Sequence, residues 1–361
     1  MKYIAFHLPQ YHTFPENDKW WGEGFTEWTN VKKAKPLFKG HNQPKIPLDN
    51  NYYNMLDQET WAWQAKLAKD YGLYGFCYYH YWFDGKLLME RPLEGLLNTR
   101  KIDFPFCLCW ANEPWTRAWD GKTSSILMPQ RYGGEKEWYE HIQYLMPFFK
   151  DSRYIKVDGK PMFLLYRTES IENCDLMIQF WNKECKKNGF PGIWIVEELN
   201  GFQSSPKCKQ SSAIVEFQPN YIQKTKAKIE HRIDKARSKV FSLINGIHGD
   251  FKTFDYDDVW NRIIQHKSRD FGKKLYLGAF VNWDNSPRKG MNASVFRGGT
   301  PEKFQNYLSC LSDKAIRENR EFIFINAWNE WAEGAYLEPD EENRYAYLEA
   351  IKNIKNKVKT I

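Results

Sequence analysis

A single (β/α)₈ barrel is the fold class the sequence predicts, on three observations. Eight short apolar runs recur along the 361 residues, helical patterns separate most of them, and the runs are continuously apolar rather than alternating. Continuous apolar character is what a parallel strand needs when helices cover one face and the barrel interior the other. The runs occupy residues 3–8, 75–79, 106–110, 162–166, 193–197, 213–217, 275–281 and 322–327. The clearest helical patterns are 57–71, 135–149, 172–188, 301–319 and 341–357, the fourth opening on Thr300 and Pro301, a capped start. Single α/β barrels reach this length, so residues 1–361 read as one domain around one large core.

Composition narrows the class. The 42% hydrophobic and 27% charged content is that of an ordinary soluble globular chain. The aromatics are less ordinary. There are 16 Trp, 21 Tyr and 24 Phe, many beside Asn, Glu, His or Asp, and interleaved flat and polar side chains suit a sugar-binding cleft, with an aromatic-rich core as the plainer alternative. Residues 13–54 form a long irregular stretch holding Trp20, Trp21 and Trp28, expected as a lid or rim over the barrel mouth; a second excursion runs over 115–134.

The net charge of +7 is concentrated between Lys224 and Lys239. A charge run of this kind is expected as a solvated helix face, with an anionic polysaccharide or lipid surface as the alternative and nucleic acid disfavoured. Seven cysteines without paired metal-ligand spacing are expected to be reduced and buried. The N-terminus lacks the features of a signal peptide and no run is long enough to span a membrane, so a cytoplasmic location is expected, peripheral membrane contact staying open; oligomeric state is not readable.

Active sites of such barrels lie at the C-terminal ends of the strands. Those positions here hold His7, Gln10, Tyr11 and His12; Tyr79, His80, Tyr81 and Trp82; Trp110, Asn112, Glu113 and Trp115; Tyr166 and Arg167; Glu197 and Glu198; Glu216 and Gln218; Asn282, Trp283 and Asp284. As substrate-binding residues the sequence nominates Trp28, Tyr79, His80, Tyr81, Trp110, Asn112, Glu113, Trp283 and Asn329. His80, Asn112 and Glu113 would orient hydroxyls, and Trp110 and Trp283 would stack on sugar faces; capping, buried hydrogen bonding and packing are their plainer roles.

The most specific stretch is FINAWNEWAEGAYLEP, residues 324–339, where an apolar strand breaks into Asn, Trp and three carboxylates. If a helical turn starts there, Glu330 and Glu333 share one face with Cβ atoms roughly 5–6 Å apart. Two close carboxyls with separated pKa values supply the proton donor and the ionised partner of glycosidic cleavage, and close spacing favours retention. An acidic first helical turn needs no chemistry and is the alternative. Glu338 reads as structural or substrate-orienting. There is no glycine-rich phosphate cradle and no Gly-x-Ser-x-Gly elbow, so neither nucleotide binding of the usual kind nor serine nucleophilicity is indicated. His7 and His80 would ligate a metal only if gathered with carboxylates; no metal and no cofactor are expected.

At these residues the chain resembles the WbsX-like family, a group related to glycoside hydrolase family 99 and associated with surface-polysaccharide biosynthesis. The marks are FHLPQYH with ENDKWWGEGFTEW, then GFCYYHYWFDG, FCLCWANEPWTRAWDG and WNEWAEGAYLEP, together covering nearly the whole chain. The resemblance implies a (β/α)₈ barrel acting on an oligosaccharide or polysaccharide, with relatives that are retaining, endo-acting mannosidases working through a 1,2-anhydro sugar. On the matching Glu-x-x-Glu, Glu330 would act as base on the sugar 2-hydroxyl. Glu333 would protonate the leaving oxygen and then activate water. A glycosyltransferase of O-antigen or capsule lipopolysaccharide assembly and a non-catalytic glycan-binding barrel are the alternatives, ranked below hydrolysis or transglycosylation.

Overall fold

The computed structural model describes residues 1–99, 102–116 and 126–358. Eight parallel strands close on themselves: β1 (Lys2–His7), β2 (Gly75–Phe83), β3 (Phe106–Trp110), β4 (Lys160–Leu165), β5 (Trp194–Leu199), β6 (Ala213–Glu216), β7 (Lys274–Phe280) and β8 (Phe322–Asn326). Closure is made by β1, which pairs Ile4 with Gly75 on one side and Lys2 with Phe322 on the other. Each strand overlaps the run expected for it. The reason is burial on both faces, complete along all nine residues of β2.

Helices α1 (Pro15–Trp21), α2 (Glu27–Lys33) and α3 (Gln58–Asp70) lie between β1 and β2, with α4 (Glu90–Asn98) before β3, α5 (Glu135–Lys150) before β4 and α6 (Cys174–Lys187) before β5. Between β6 and β7 come α7 (Asn220–Lys224), α8 (Lys228–Ile244) and α9 (Tyr256–Gln265); α10 (Ser286–Lys289) and α11 (Pro301–Arg317) precede β8, and α12 (Ala346–Val358) closes the described chain. The Thr300 hydroxyl accepts from the Lys303 amide at 3.2 Å, making the capped start of α11. The last helix begins at Ala346 rather than residue 341, because Asp340 is drawn into bridges with Pro47 and Arg344. The rim departs from expectation in two elements: residues 13–54 carry α1 and α2 instead of being wholly irregular. Of the second excursion, residues 117–125 lie outside the described residues.

Cys174 at the start of α6 is disulfide-bonded to Cys208 in the loop between β5 and β6, which corrects the expectation of seven reduced cysteines. Sequence spacing could not pair them, since the partners are 34 residues apart and meet only because the loop folds back over α6. Cys310 is exposed, a second correction, while Cys77, Cys107, Cys109 and Cys185 are free and buried.

Inside the barrel, Phe6 packs against Tyr79, Phe217 and Phe324 at ring-centroid distances of 5.7, 5.1 and 5.7 Å. Gly278 permits the close approach of β6 and β7, where a Cβ would meet the Glu216 carbonyl oxygen at 1.8 Å. The aromatic layer forms the floor on which the polar mouth rests.

Candidate active site

The chain leaves β8 through a cis Asn326–Ala327 peptide and a short antiparallel pair, Asn329–Glu330 with Ala335–Tyr336. Residues Trp331–Glu333 make one turn of 3₁₀-helix, and Glu330 precedes it at φ −79° and ψ 64°. The turn that follows Glu330 is therefore 3₁₀ rather than α-helical, and the acidic pair is not set by the i, i+3 geometry of an α-helix. Gly334 explains why, at φ +62°, with space so tight that a Cβ would meet Asp284 atoms at 2.9 Å. The Asp284 amide donates to the Glu333 carbonyl at 2.6 Å, locking the turn to the end of β7.

A cation brings the carboxylates together. Arg288 of α10 donates from Nε to Glu27 at 2.9 Å, from Nη1 to Glu333 at 2.5 Å and from Nη2 to Glu330 at 3.2 Å. Its side chain is 6% exposed, Glu27 is fully buried, Glu330 is 10% exposed and Glu333 23%. Such a fork satisfies planar guanidinium geometry, and in a poorly solvated site removing one partner commonly costs about 3–5 kcal/mol. Three carboxyls around one guanidinium leave excess negative charge. Burial, with the neighbouring carboxyls, pushes Glu330 up to about 8 and also raises Glu333, against the opposing pull of Arg288. The pair accordingly holds a proton near neutrality. Arg288 makes its shorter contact to Glu333, so in this arrangement the proton belongs on Glu330.

A cavity of about 120 Å³ opens above this cluster. Tyr79, Tyr81, Glu113, Trp283, Glu330 and Glu333 all line it, together with Tyr166, Phe217 and Arg288. Glu113 is held up by burial while Arg167, 3.5 Å away, pulls it down. Aromatic faces thus enclose one side and ionisable groups the other, the pattern suited to a polyhydroxylated ring.

Five nominated residues lie outside the cavity, and each position has a physical reason. The period of two along β2 turns Tyr79 and Tyr81 inward but His80 outward, where its Nε2 meets His141 of α5 at 2.9 Å. Trp110 likewise faces the helices, donating to the Trp82 carbonyl at 3.0 Å and packing on His141 and Trp181. Asn112 clamps Arg167 through both its amide and its carbonyl, each at 2.8 Å. Asn329 does the same to Leu8, at 2.8 and 3.0 Å, and so fastens the end of β1 to the acidic loop. Trp28 donates to the Tyr53 carbonyl at 2.9 Å and packs against Tyr11 and Trp331. In this structure these five pack and position their neighbours rather than line the cavity.

Of the wider set of strand-end residues, Glu197 faces outward and is consumed by Thr168, Ser211 and the amides of Lys207 and Cys208. Glu198 is buried inside the barrel, accepts from the Cys109 thiol at 3.0 Å and is pushed up to about 8 by desolvation. Asp284 is held low by His41 and Gln43, at 2.7 and 2.6 Å, which ties the rim to the site. Glu338 accepts from Tyr53, Gln64 and Trp331 at 2.9, 2.7 and 2.7 Å, away from the cavity. Glu27 and Arg288 escaped the sequence reading. Glu27 stood within GFTEW and Arg288 beside Pro287, but 261 residues separate them, and no local spacing links them.

Among the described residues no cluster of three or more His, Cys, Asp or Glu could hold a metal ion, and no helix is long and apolar enough to cross a membrane. The closed barrel is shared with the family 99 endo-alpha-mannosidase from Bacteroides thetaiotaomicron, at a TM-score of 0.58 and 14% identity over 99% of this chain and 97% of that one. A solved glycoside hydrolase-like protein matches at a TM-score of 0.57 and 12% identity, over 98% and 93% of the two chains. At such identities the likeness is one of fold. In sequence, the uncharacterized protein WxcX of Xanthomonas campestris pv. campestris, strain B100, is 35% identical over 353 residues, as is its counterpart in strain ATCC 33913. These matches cover 96% of this chain and 48% of the relatives, so the chain spans about half the length of the curated relatives it matches. The family model described as glycosyltransferase WbsX matches residues 3–351, and the chain belongs to this carbohydrate-active WbsX family.

Proposed function

We propose that this chain is a retaining glycoside hydrolase, endo-acting on a bacterial surface polysaccharide or its precursor, with Glu330 and Glu333 as its catalytic carboxylates and no cofactor. The observation that carries the reading is the single guanidinium of Arg288 shared by Glu330 and Glu333 at the wall of an aromatic-lined cavity. In the proposed first step the Glu330 carboxylate takes the proton of the sugar 2-hydroxyl, O2 bonds to C1, and the C1–oxygen bond breaks as Glu333 protonates the leaving oxygen. In the second, Glu333 deprotonates a water whose oxygen bonds to C1, the C1–O2 bond breaks, and Glu330 returns its proton to O2, so configuration is retained. The greater exposure of Glu333 suits the residue that meets leaving group and water. Because the arrangement around Arg288 favours the proton on Glu330, this scheme requires it to pass to Glu333 as the sugar enters.

Residues 1–361 act in this proposal as one catalytic domain, and endo action on mannose-like sugars follows the activity for which the Bacteroides enzyme is named rather than any feature of the cavity. The word glycosyltransferase in the family description favours a second reading, transfer from an activated sugar, for which lipopolysaccharide assembly is the setting we propose. Incubating the protein with bacterial surface glycans, with and without sugar nucleotides, and following products by mass spectrometry separates the two. Cleavage without nucleotide, lost in Glu333→Gln, is expected; product formed only with a sugar nucleotide would replace hydrolysis with transfer. Binding without turnover in either condition would instead favour a glycan-binding barrel. The cytoplasmic placement is part of the proposal. The Cys174–Cys208 disulfide stands against it, because cytosolic thiols are kept reduced: alkylation in denaturant at lysis that labels both cysteines would support the cytoplasm, and an intact disulfide in cells would move the protein to an oxidising compartment.

A further inference from the structure

We infer that the outer face of α8 docks on an anionic lipid bilayer surface. Amphipathic helices of a folded domain normally turn their apolar stripe inward. This one does the reverse. Asp234 and Ser238 are its buried residues: Asp234 pairs with the buried Lys226 and with Arg262, and Ser238 bonds both ways to the Thr253 backbone at 3.0 and 3.2 Å. Ile229, Ile233, Val240, Leu243 and Ile244 face solvent, at 61, 45, 57, 83 and 76% exposure. With exposed Ala236 they recur at spacings of four, three, four and three residues, a continuous stripe along the whole helix. The cations are solvent-exposed as the charge run predicts, and the apolar stripe between them is what the charge run does not show.

Charge identifies the occupant. On a 3.6-residue helix, Lys228, Arg232, Lys235 and Lys239 fall along one border of the stripe and Arg237 along the other, all exposed. Glu230 is turned to the Ala227 amide and Arg262, and Asp258 pairs with Arg237. An apolar stripe bordered by cations is the form of a helix lying in a membrane interface, the apolar side chains entering the acyl boundary and the cations meeting anionic headgroups. A second copy fits poorly, because a two-fold pairing of this stripe sets the same cations against each other. Beside the stripe a groove of about 730 Å³, where Leu243, Ile247 and Phe251 lie among Lys239, Lys252 and Asp250, adds apolar surface. The helix is joined to the site side of the barrel: Phe241 packs on Phe38, Phe38 stacks on His41, and His41 holds Asp284.

Flotation of the intact chain with phosphatidylcholine vesicles, with and without about one-third phosphatidylglycerol, tests this, alongside sedimentation velocity without lipid. We expect flotation only with the anionic vesicles, weakened by salt. Leu243→Ser with Ile244→Ser should lower partitioning about a hundredfold, and Lys235→Glu with Lys239→Glu at least about tenfold. All four positions are exposed, so unchanged thermal unfolding of the variants is expected. Absence of flotation, equal flotation on vesicles lacking phosphatidylglycerol, or a dimer dissociated by Leu243→Ser would each overturn the inference, the last in favour of a second copy.

Discussion

Three glutamates stand within nine residues of one loop, yet their surroundings give them different work. Glu330 and Glu333 share a guanidinium and open onto the cavity, whereas Glu338 is enclosed by the phenol of Tyr53, the amide of Gln64 and the indole of Trp331. All three are raised by burial, Glu338 to about 7. A neutral cage of donors fixes a carboxyl in place and offers it no cation to exchange with a substrate. A buried cation between two carboxyls lets one proton be held by either. Proximity in sequence therefore says less about catalysis than the kind of partner each acid meets.

The largest expected effect breaks the pair. Glu330→Gln and Glu333→Gln remove proton transfer while keeping shape, and each should reduce turnover by about 10²–10⁴-fold on a verified substrate. Steady-state kinetics on both, with the fold checked by thermal unfolding, measures this; normal turnover in both would remove these residues from the chemistry. The pH profile of the wild type should show two limbs that belong to the pair rather than to either acid. Glu338→Gln should leave both limbs where they are.

The same residues mark how far the sequence reaches. The barrel strands were legible because burial on both faces leaves a continuous apolar run, as in FCLCW and FIFIN. The acidic pair was legible as composition, but its geometry was not, since Gly334 and Asp284 impose a 3₁₀ turn where helical spacing was expected. His80 and Trp110 were grouped with Tyr79 and Tyr81 by nearness to a strand end; alternation sends them to the helix side instead. Glu27 and Arg288 meet only through the tertiary fold, and neither has a local signature. The exposed apolar stripe of α8 was not legible, because a charge run shows how many cations there are without showing which side of the helix is packed.

A second, smaller effect concerns stability against pH. The folded value of Glu338, about 7, lies above its ordinary 4.5. Its contribution is therefore fully present below about pH 4.5 and is lost as pH rises through 7, amounting to roughly 3 kcal/mol. Glu330 and Glu198, both pushed up to about 8, act in the same direction over a window reaching higher. Denaturant unfolding across pH 5 to pH 9 should show falling stability, and a stability that rises over this interval would contradict the raised values.

The smallest effect sharpens the contrast between cage and pair. At pH 5 Glu338 is protonated and nearly isosteric with Gln, so Glu338→Gln should cost only about 1 kcal/mol, from an amide whose donors face three donors already in place. Above pH 8 the wild type has lost the Glu338 contribution while the Gln variant has nothing there to titrate, so the gap should close or reverse. Parallel denaturant series on the two proteins read this directly. A gap that widens with pH would mean that the Tyr53, Gln64 and Trp331 donors hold Glu338 ionised, and that the difference between the two carboxylate environments lies in access to the cavity rather than in charge.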